Sequence, residues 1–175
     1  MKDLKNIKLI ILDCDGVLTD GKIIYDDKGN ETKNFSARDG LGIKLLSFTD
    51  IELAVITGRE SEILTRRCKD LGIKFLYQKI RNKLRCAEKL IEDLGIKWEN
   101  VAMLGDDWND FLLLKKVHFS AVPADAMSGI REAVDHVTER NGGEGAVREL
   151  IELILYEKGI LDESIQKLLD YLSSH

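Results

Sequence analysis

Ile7-Lys8-Leu9-Ile10-Ile11-Leu12 runs straight into Asp13-Cys14-Asp15-Gly16-Val17-Leu18-Thr19-Asp20: an apolar stretch of strand length that ends in two aspartates spaced i, i+2 and a glycine. Side chains two apart on an extended segment point the same way, so the spacing predicts two carboxylates side by side at the end of a buried strand. Like charges that close call for a hard divalent cation between them or a proton held by one partner, and both arrangements are common in phosphoryl-transfer sites. Taken alone, the segment reads as readily as a strand closed by an Asx turn. The rest of the chain has to decide.

Further along, strand-like runs recur at 52–56, 74–77, 100–104 and about 117–121. Amphipathic stretches at about 40–49, 60–71, 83–95 and 108–115 separate them, with apolar positions such as Ala87, Leu90, Ile91 and Leu94 at helical spacing. Strand and helix in alternation predict an α/β, Rossmann-like three-layer fold, a central parallel sheet flanked by helices. Residues 22–36 break the rhythm. Lys22-Ile23-Ile24-Tyr25, a turn through Asp26-Asp27-Lys28-Gly29-Asn30, and Glu31-Thr32-Lys33-Asn34-Phe35 read as a β-hairpin inserted after the first strand. A glycine-rich segment, Asn141-Gly142-Gly143-Glu144-Gly145, precedes helices at about 145–157 and 161–172. With no repeat or linker visible, residues 1–175 read as one domain, of which 141–175 are a C-terminal tail and helices.

Composition narrows the function. Of 175 residues 44% are apolar and 33% charged, and Pro123 is the single proline. The 31 acidic against 26 basic residues, a net charge of −5, argue against a nucleic-acid or anionic-membrane partner. No apolar run approaches a membrane span and no signal-peptide core appears, so the expectation is a cytoplasmic protein. Cys14, Cys68 and Cys86 lack disulfide or zinc spacing, and Cys14 reads as a small core residue. His118, His136 and His175 fall in no motif and read as structural or exposed.

In a parallel sheet, ligands gather at the carboxyl ends of the strands. The first strand delivers Asp13 and Asp15, and the run at 52–56 delivers Thr57-Gly58-Arg59, a hydroxyl and backbone N–H groups suited to an anion, or else a helix N-cap. Lys83 stands at a helix start, where a cation opposes the helix dipole; it reads as a functional ammonium or as a solvated lysine. Leu104-Gly105-Asp106-Asp107-Trp108-Asn109-Asp110 supplies three carboxylates in five residues, too many for all to be caps.

Taken in order, Asp13-Cys14-Asp15-Gly16-Val17, Thr57-Gly58, Lys83 and Gly105-Asp106-Asp107 with Asp110 resemble the four motifs of the haloacid-dehalogenase superfamily of phosphatases. The resemblance implies Asp13 as the nucleophile that forms an aspartyl-phosphate and Asp15 as the general acid and base. It implies Mg²⁺ held by the Asp13 carboxylate, the Asp15 backbone carbonyl and the Asp106 carboxylate. Thr57 and Lys83 would hold the phosphoryl oxygens, with Gly58, Asp107 and Asp110 in support. The second aspartate favours phosphate esters over carbon–halogen bonds.

Only about forty residues separate Gly16 from Thr57, so the resemblance is to the subfamily without a cap domain. Arg38-Asp39-Gly40 and Gly142-Gly143-Glu144-Gly145 add to the match. It implies hydrolysis of an eight-carbon acid-sugar phosphate of lipopolysaccharide precursor synthesis by a homotetramer, with the hairpin building the oligomer and neighbouring subunits closing each site. Arg38, Arg59, Arg66, Gly142 and Gly143 are the candidates for gripping the sugar acid. A nine-carbon acid-sugar phosphate is the nearest alternative; its enzymes carry glutamate where Arg59 stands. A phospho-aspartate signalling or binding protein is the alternative from another class, opposed by Gln78 standing where such a protein would want its aspartate.

Overall fold

The computed structural model describes residues 2–174. Six parallel strands form the sheet: β1 (Leu9–Leu12), β4 (Glu52–Ile56), β5 (Phe75–Tyr77), β6 (Val101–Leu104), β7 (Phe119–Val122) and β8 (His136–Val137). Their order is β5-β4-β1-β6-β7-β8. The chain starts at the centre and crosses over once to fill each side, so β1 has β4 on one flank and β6 on the other, with Leu12 level with Val55 and Leu104.

All four residues of β1 are buried, which is why its sequence is uniformly apolar. Ile10 and Leu12 pack into one core with α1 (Ala37–Leu46), α2 (Glu62–Leu71), α6 (Ala146–Glu157) and α7 (Leu161–Ser173). Leu9 and Ile11 pack into the other with α3 (Lys83–Asp93), α4 (Phe111–Leu114) and α5 (Ser128–Arg131). The period-2 alternation of a strand thus builds the two helical layers.

Several boundaries differ from those the periodicity predicts. Helix α1 starts at Ala37 because Ser36 Oγ caps it, accepting from the Asp39 N–H at 3.3 Å. Asp39 in turn accepts from the Arg148 N–H at 2.9 Å and serves the first turn of α6, whose own N-cap is Gly145. Helix α4 shrinks to four residues because the acidic loop before it forms side-chain-to-backbone bonds: Asp107 Oδ1 accepts from the Trp108 N–H at 2.7 Å. Strand β8 and helix α5 are absent from the sequence reading. Two and four residues respectively are too short to leave a period.

The hairpin is present as β2 (Ile24–Tyr25) paired antiparallel with β3 (Glu31–Thr32). Between β1 and β4 the described residues hold this hairpin and α1, and no further folding unit.

Candidate active site

The carboxyl ends of β4, β1 and β6 are neighbours, and the loops leaving them line an open cleft of about 220 Å³. From β1 come Asp13 and Asp15, from β4 Thr57, Gly58 and Arg59, and from β6 Asp106, Asp107 and Asn109. Roomier hollows lie elsewhere, against α1 and against α3, but neither collects carboxylates from strand ends.

Lys83 anchors the floor. Its side chain is 2% exposed, and its ammonium hydrogen-bonds Asp110 Oδ1 at 2.7 Å and stands 2.8 Å from Asp13 Oδ1. Burial works against that charge, but Asp13 and Asp110 more than offset it and raise the Lys83 pKa above the ordinary lysine value. Asn82 caps α3 by accepting from the Arg85 N–H at 2.9 Å, so the misfit of a cation at N1 is absorbed by the two carboxylates. Asp110 is fully buried and spends its other oxygen on the Asp106 N–H at 3.1 Å, fixing the β6 loop.

Asp13, Asp106 and Asp110 bring one carboxylate oxygen each within 4.8 Å of one another. Burial, then the charge of Asp110, pushes Asp13 up to about 6 against the pull of Lys83. Burial, then Asp13, Asp110 and Asp107, pushes Asp106 up to about 8. Three carboxylates share one ammonium, and the Lys83–Asp13 contact is within ion-pair distance but off hydrogen-bond alignment, so Asp13 Oδ1 is a buried acceptor without a hydrogen-bond donor. Oxygen ligands short of positive charge fit a hard divalent cation, and Asp13 and Asp106 are the pair with capacity to hold it. Gly16 leaves room for this: at φ +86° it takes a conformation L side chains avoid, and a Cβ there would lie 2.1 Å from Asp106 Oδ2.

Asp13 and Asp15 both line the cleft, and different charges meet their carboxylates. The strand ends at Leu12 and the turn at Gly16 breaks the alternation, so Asp13's acidic neighbours are Asp110 and Asp106. The Asp15 carboxylate is met instead by Lys33, whose ammonium contacts Oδ1, and by Arg59, whose Nε lies 3.6 Å from Oδ2.

Thr57 is buried and is no helix cap: its N–H donates to the Tyr77 carbonyl at 2.9 Å, and α2 begins only after Ser61. The Cys14 thiol is pushed up by burial, which removes it as a rival nucleophile.

Of the candidates for substrate contact, Arg59 lines the cleft, whereas Arg38 and Arg66 do not. Arg38 borders a separate surface hollow with Arg140 and Glu144, and Arg66 is exposed on α2. Gly142 and Gly143 also lie off the cleft, wedged under the β1 loop. The Gly143 N–H donates to the Val17 carbonyl at 2.9 Å, and a Cβ on Gly142 would come 1.9 Å from the Gly16 carbonyl oxygen. His118 bonds the Asp3 carbonyl and His136 stacks on Phe119, both away from the cleft; His175 lies outside the described residues. The sequence reading missed Gly21, Asn109 and the hairpin's Tyr25, Glu31 and Lys33. The signal for the hairpin residues was the hairpin's position directly after the aspartates, and the signal for Asn109 was its place within the acidic run at 106–110.

A family model described as haloacid dehalogenase-like hydrolase matches residues 72–151. The chain is 46% identical over 164 residues to the 3-deoxy-D-manno-octulosonate 8-phosphate phosphatase KdsC of Escherichia coli (strain B / BL21-DE3), covering 94% of this chain and 87% of that one. Among solved structures it is similar to the Moraxella catarrhalis 3-deoxy-D-manno-octulosonate 8-phosphate phosphatase in complex with magnesium ion, phosphate ion and KDO, with TM-score 0.91, 40% identity and 95% of both chains covered. The cobalt-bound Haemophilus influenzae deoxy-D-mannose-octulosonate 8-phosphate phosphatase gives TM-score 0.87 at 43% identity, over 91% of this chain and 94% of that one.

Proposed function

This chain belongs to the haloacid dehalogenase-like hydrolases, among the 3-deoxy-D-manno-octulosonate 8-phosphate phosphatases, and on that premise we propose that it hydrolyses this eight-carbon acid-sugar phosphate with Mg²⁺ to the free sugar acid and phosphate, a step of lipopolysaccharide precursor synthesis. The observation that carries the reading is Asp13: a buried carboxylate with an unfilled oxygen, beside Lys83 and Asp106, at the end of the central strand. Mg²⁺ bound by Asp13, Asp106 and the Asp15 carbonyl supplies the positive charge that lets a phosphate dianion approach.

Asp13 attacks phosphorus, the ester P–O bond breaks, and Asp15 protonates the leaving alkoxide. Water then attacks the aspartyl-phosphate as the ionised Asp15 takes its proton, and the Asp13–phosphorus bond breaks. The Thr57 hydroxyl and Lys83 hold the transferring phosphoryl oxygens, while Asp110 orients Lys83. Asp107 and Gly58 complete the rim, and Arg59, which lines the cleft, would meet the substrate's carboxylate.

No described helix is long and apolar enough to cross a membrane, and the reading sets the enzyme in the cytoplasm with its phosphosugar substrate. The same reading takes residues 1–175 as one hydrolase domain and makes it a homotetramer joined through the hairpin, whose Ile23, Ile24 and Tyr25 are exposed.

Phosphate release from eight-carbon and nine-carbon acid-sugar phosphates and hexose phosphates, with and without Mg²⁺, tests the assignment. The eight-carbon ester is expected to lead in kcat/KM; equal values across the panel overturn the substrate, and no release from any ester overturns the phosphatase. Asp13→Asn is expected to remove turnover by on the order of 10⁴-fold or more while the folded spectrum persists. An active Asp13→Asn protein excludes Asp13 as nucleophile.

A further inference from the structure

The steps above leave one buried cation without a task. Lys33 follows β3 of the hairpin, its side chain is 2% exposed, and its ammonium contacts Asp15 Oδ1 and lies 3.7 Å from Glu31 Oε1. Glu31 also accepts from Arg59 Nη2 at 2.8 Å, and the same nitrogen donates to the Tyr25 hydroxyl at 3.0 Å. These bonds tie the hairpin to the cleft, for strands of two residues each do not hold themselves in place.

The two oxygens of Asp15 are therefore unequal. Oδ1 is engaged by an ammonium, which can donate but never accept, and that contact holds the carboxylate at one of its two oxygens. Oδ2 has the Arg59 Nε at 3.6 Å, an ion-pair distance too long for a hydrogen bond. Among the described residues no other cation reaches this carboxylate.

We propose that Lys33 is the positioning residue of the acid–base step: by holding Oδ1 it fixes the rotation of the Asp15 carboxyl that presents Oδ2 to the leaving group. The inference rests on the phosphatase reading and gives the inserted hairpin a part in the chemistry as well as in assembly. In the first step the Oδ2–H bond breaks as the proton passes to the alkoxide oxygen, while the Asp13–phosphorus bond forms and the ester bond breaks. Lys33 keeps its own protons throughout.

A lysine that only pins the hairpin would leave a different kinetic trace. The value of kcat/KM reports steps up to transfer of phosphorus to Asp13, so the later base step drops out of it. At that stage an alkyl sugar phosphate needs an acid for its poor leaving group, and p-nitrophenyl phosphate does not. Lys33→Met is expected to lose about 100-fold in kcat/KM on the sugar phosphate and less than about threefold on p-nitrophenyl phosphate, given what a positioned acid contributes. Lys33→Gln, which keeps a donor for Oδ1, is expected to recover most of the loss on the sugar ester. An equal loss on both esters makes Lys33 structural and overturns the proposal, as does an unchanged sugar-phosphate rate.

Should Lys33→Met fail to fold by its thermal transition, Lys33→Ala decides by the same ratio: a deficit confined to the sugar ester supports the proposal, and equal factors on both esters overturn it. Wild-type turnover reports separately on the phosphatase reading. If wild type cleaves p-nitrophenyl phosphate but not the eight-carbon ester, the substrate is wrong and the ratio is taken with whichever alkyl phosphate it does cleave.

Discussion

Lys83 begins a helix, where the dipole opposes a cation, and that local misfit marked it in the sequence as a residue with another duty. What the misfit could not tell is how many carboxylates it serves. The answer is two directly, Asp13 and Asp110, with Asp106 held against them through its backbone. Removing one member of a buried ion-pair network strands the others, so Lys83→Met is expected to cost metal-free protein about 3 kcal/mol near neutral pH, read from urea unfolding. The loss should shrink in acid, where the stranded carboxylates take up protons. An unchanged unfolding midpoint would show that solvent already screens them. Lys33, by contrast, sat among hairpin residues with no misfit to betray it, since a lysine on a short exposed strand is ordinary.

At the scale of elements, the β1 loop is held from outside its own segment. The tail at 141–145 runs beneath it closely enough that only a hydrogen fits at Gly142, with the Gly16 backbone in the way of anything larger. Gly142→Ala therefore has to move either the tail or the loop that carries Asp15 and sets Asp106. It is expected to destabilise by about 1–3 kcal/mol and to lower kcat more than it raises KM. A variant of wild-type kcat and melting temperature would show that the tail yields freely. The glycine run was legible in the sequence as a candidate substrate grip; that it also supports a loop emerges only when residues far apart in the chain are packed together. The hairpin was legible by its turn and alternation. Charging its exposed face with Ile23→Glu and Ile24→Glu is expected to reduce the mass seen by light scattering to that of a single chain; an undiminished oligomer would put the interface elsewhere.

Over the whole molecule, the sheet crowds its strand-end carboxylates more than Lys83 can neutralise. Asp13 at about 6 and Asp106 at about 8 both lie above the ordinary 3.8. Between about pH 4 and pH 8 the folded protein thus keeps protons that the unfolded chain has released, and its metal-free stability falls as the pH rises across that window. Mg²⁺ needs those carboxylates ionised, so the rise in melting temperature on adding Mg²⁺ is expected to be larger at about pH 8 than at about pH 5.5. The same rise at both values would mean that the cation binds outside the cluster. The sequence by itself determined the layered fold and the four chemical segments, because strand and helix periods and the residues at strand ends are properties of neighbours along the chain. Only the tertiary structure decided which charge answers which: Lys83 to Asp110 across 27 residues, Lys33 to Asp15 across 18. The strength of a buried charge pair depends on what lies within a few ångströms in space, and the order of residues in a sequence does not carry that distance.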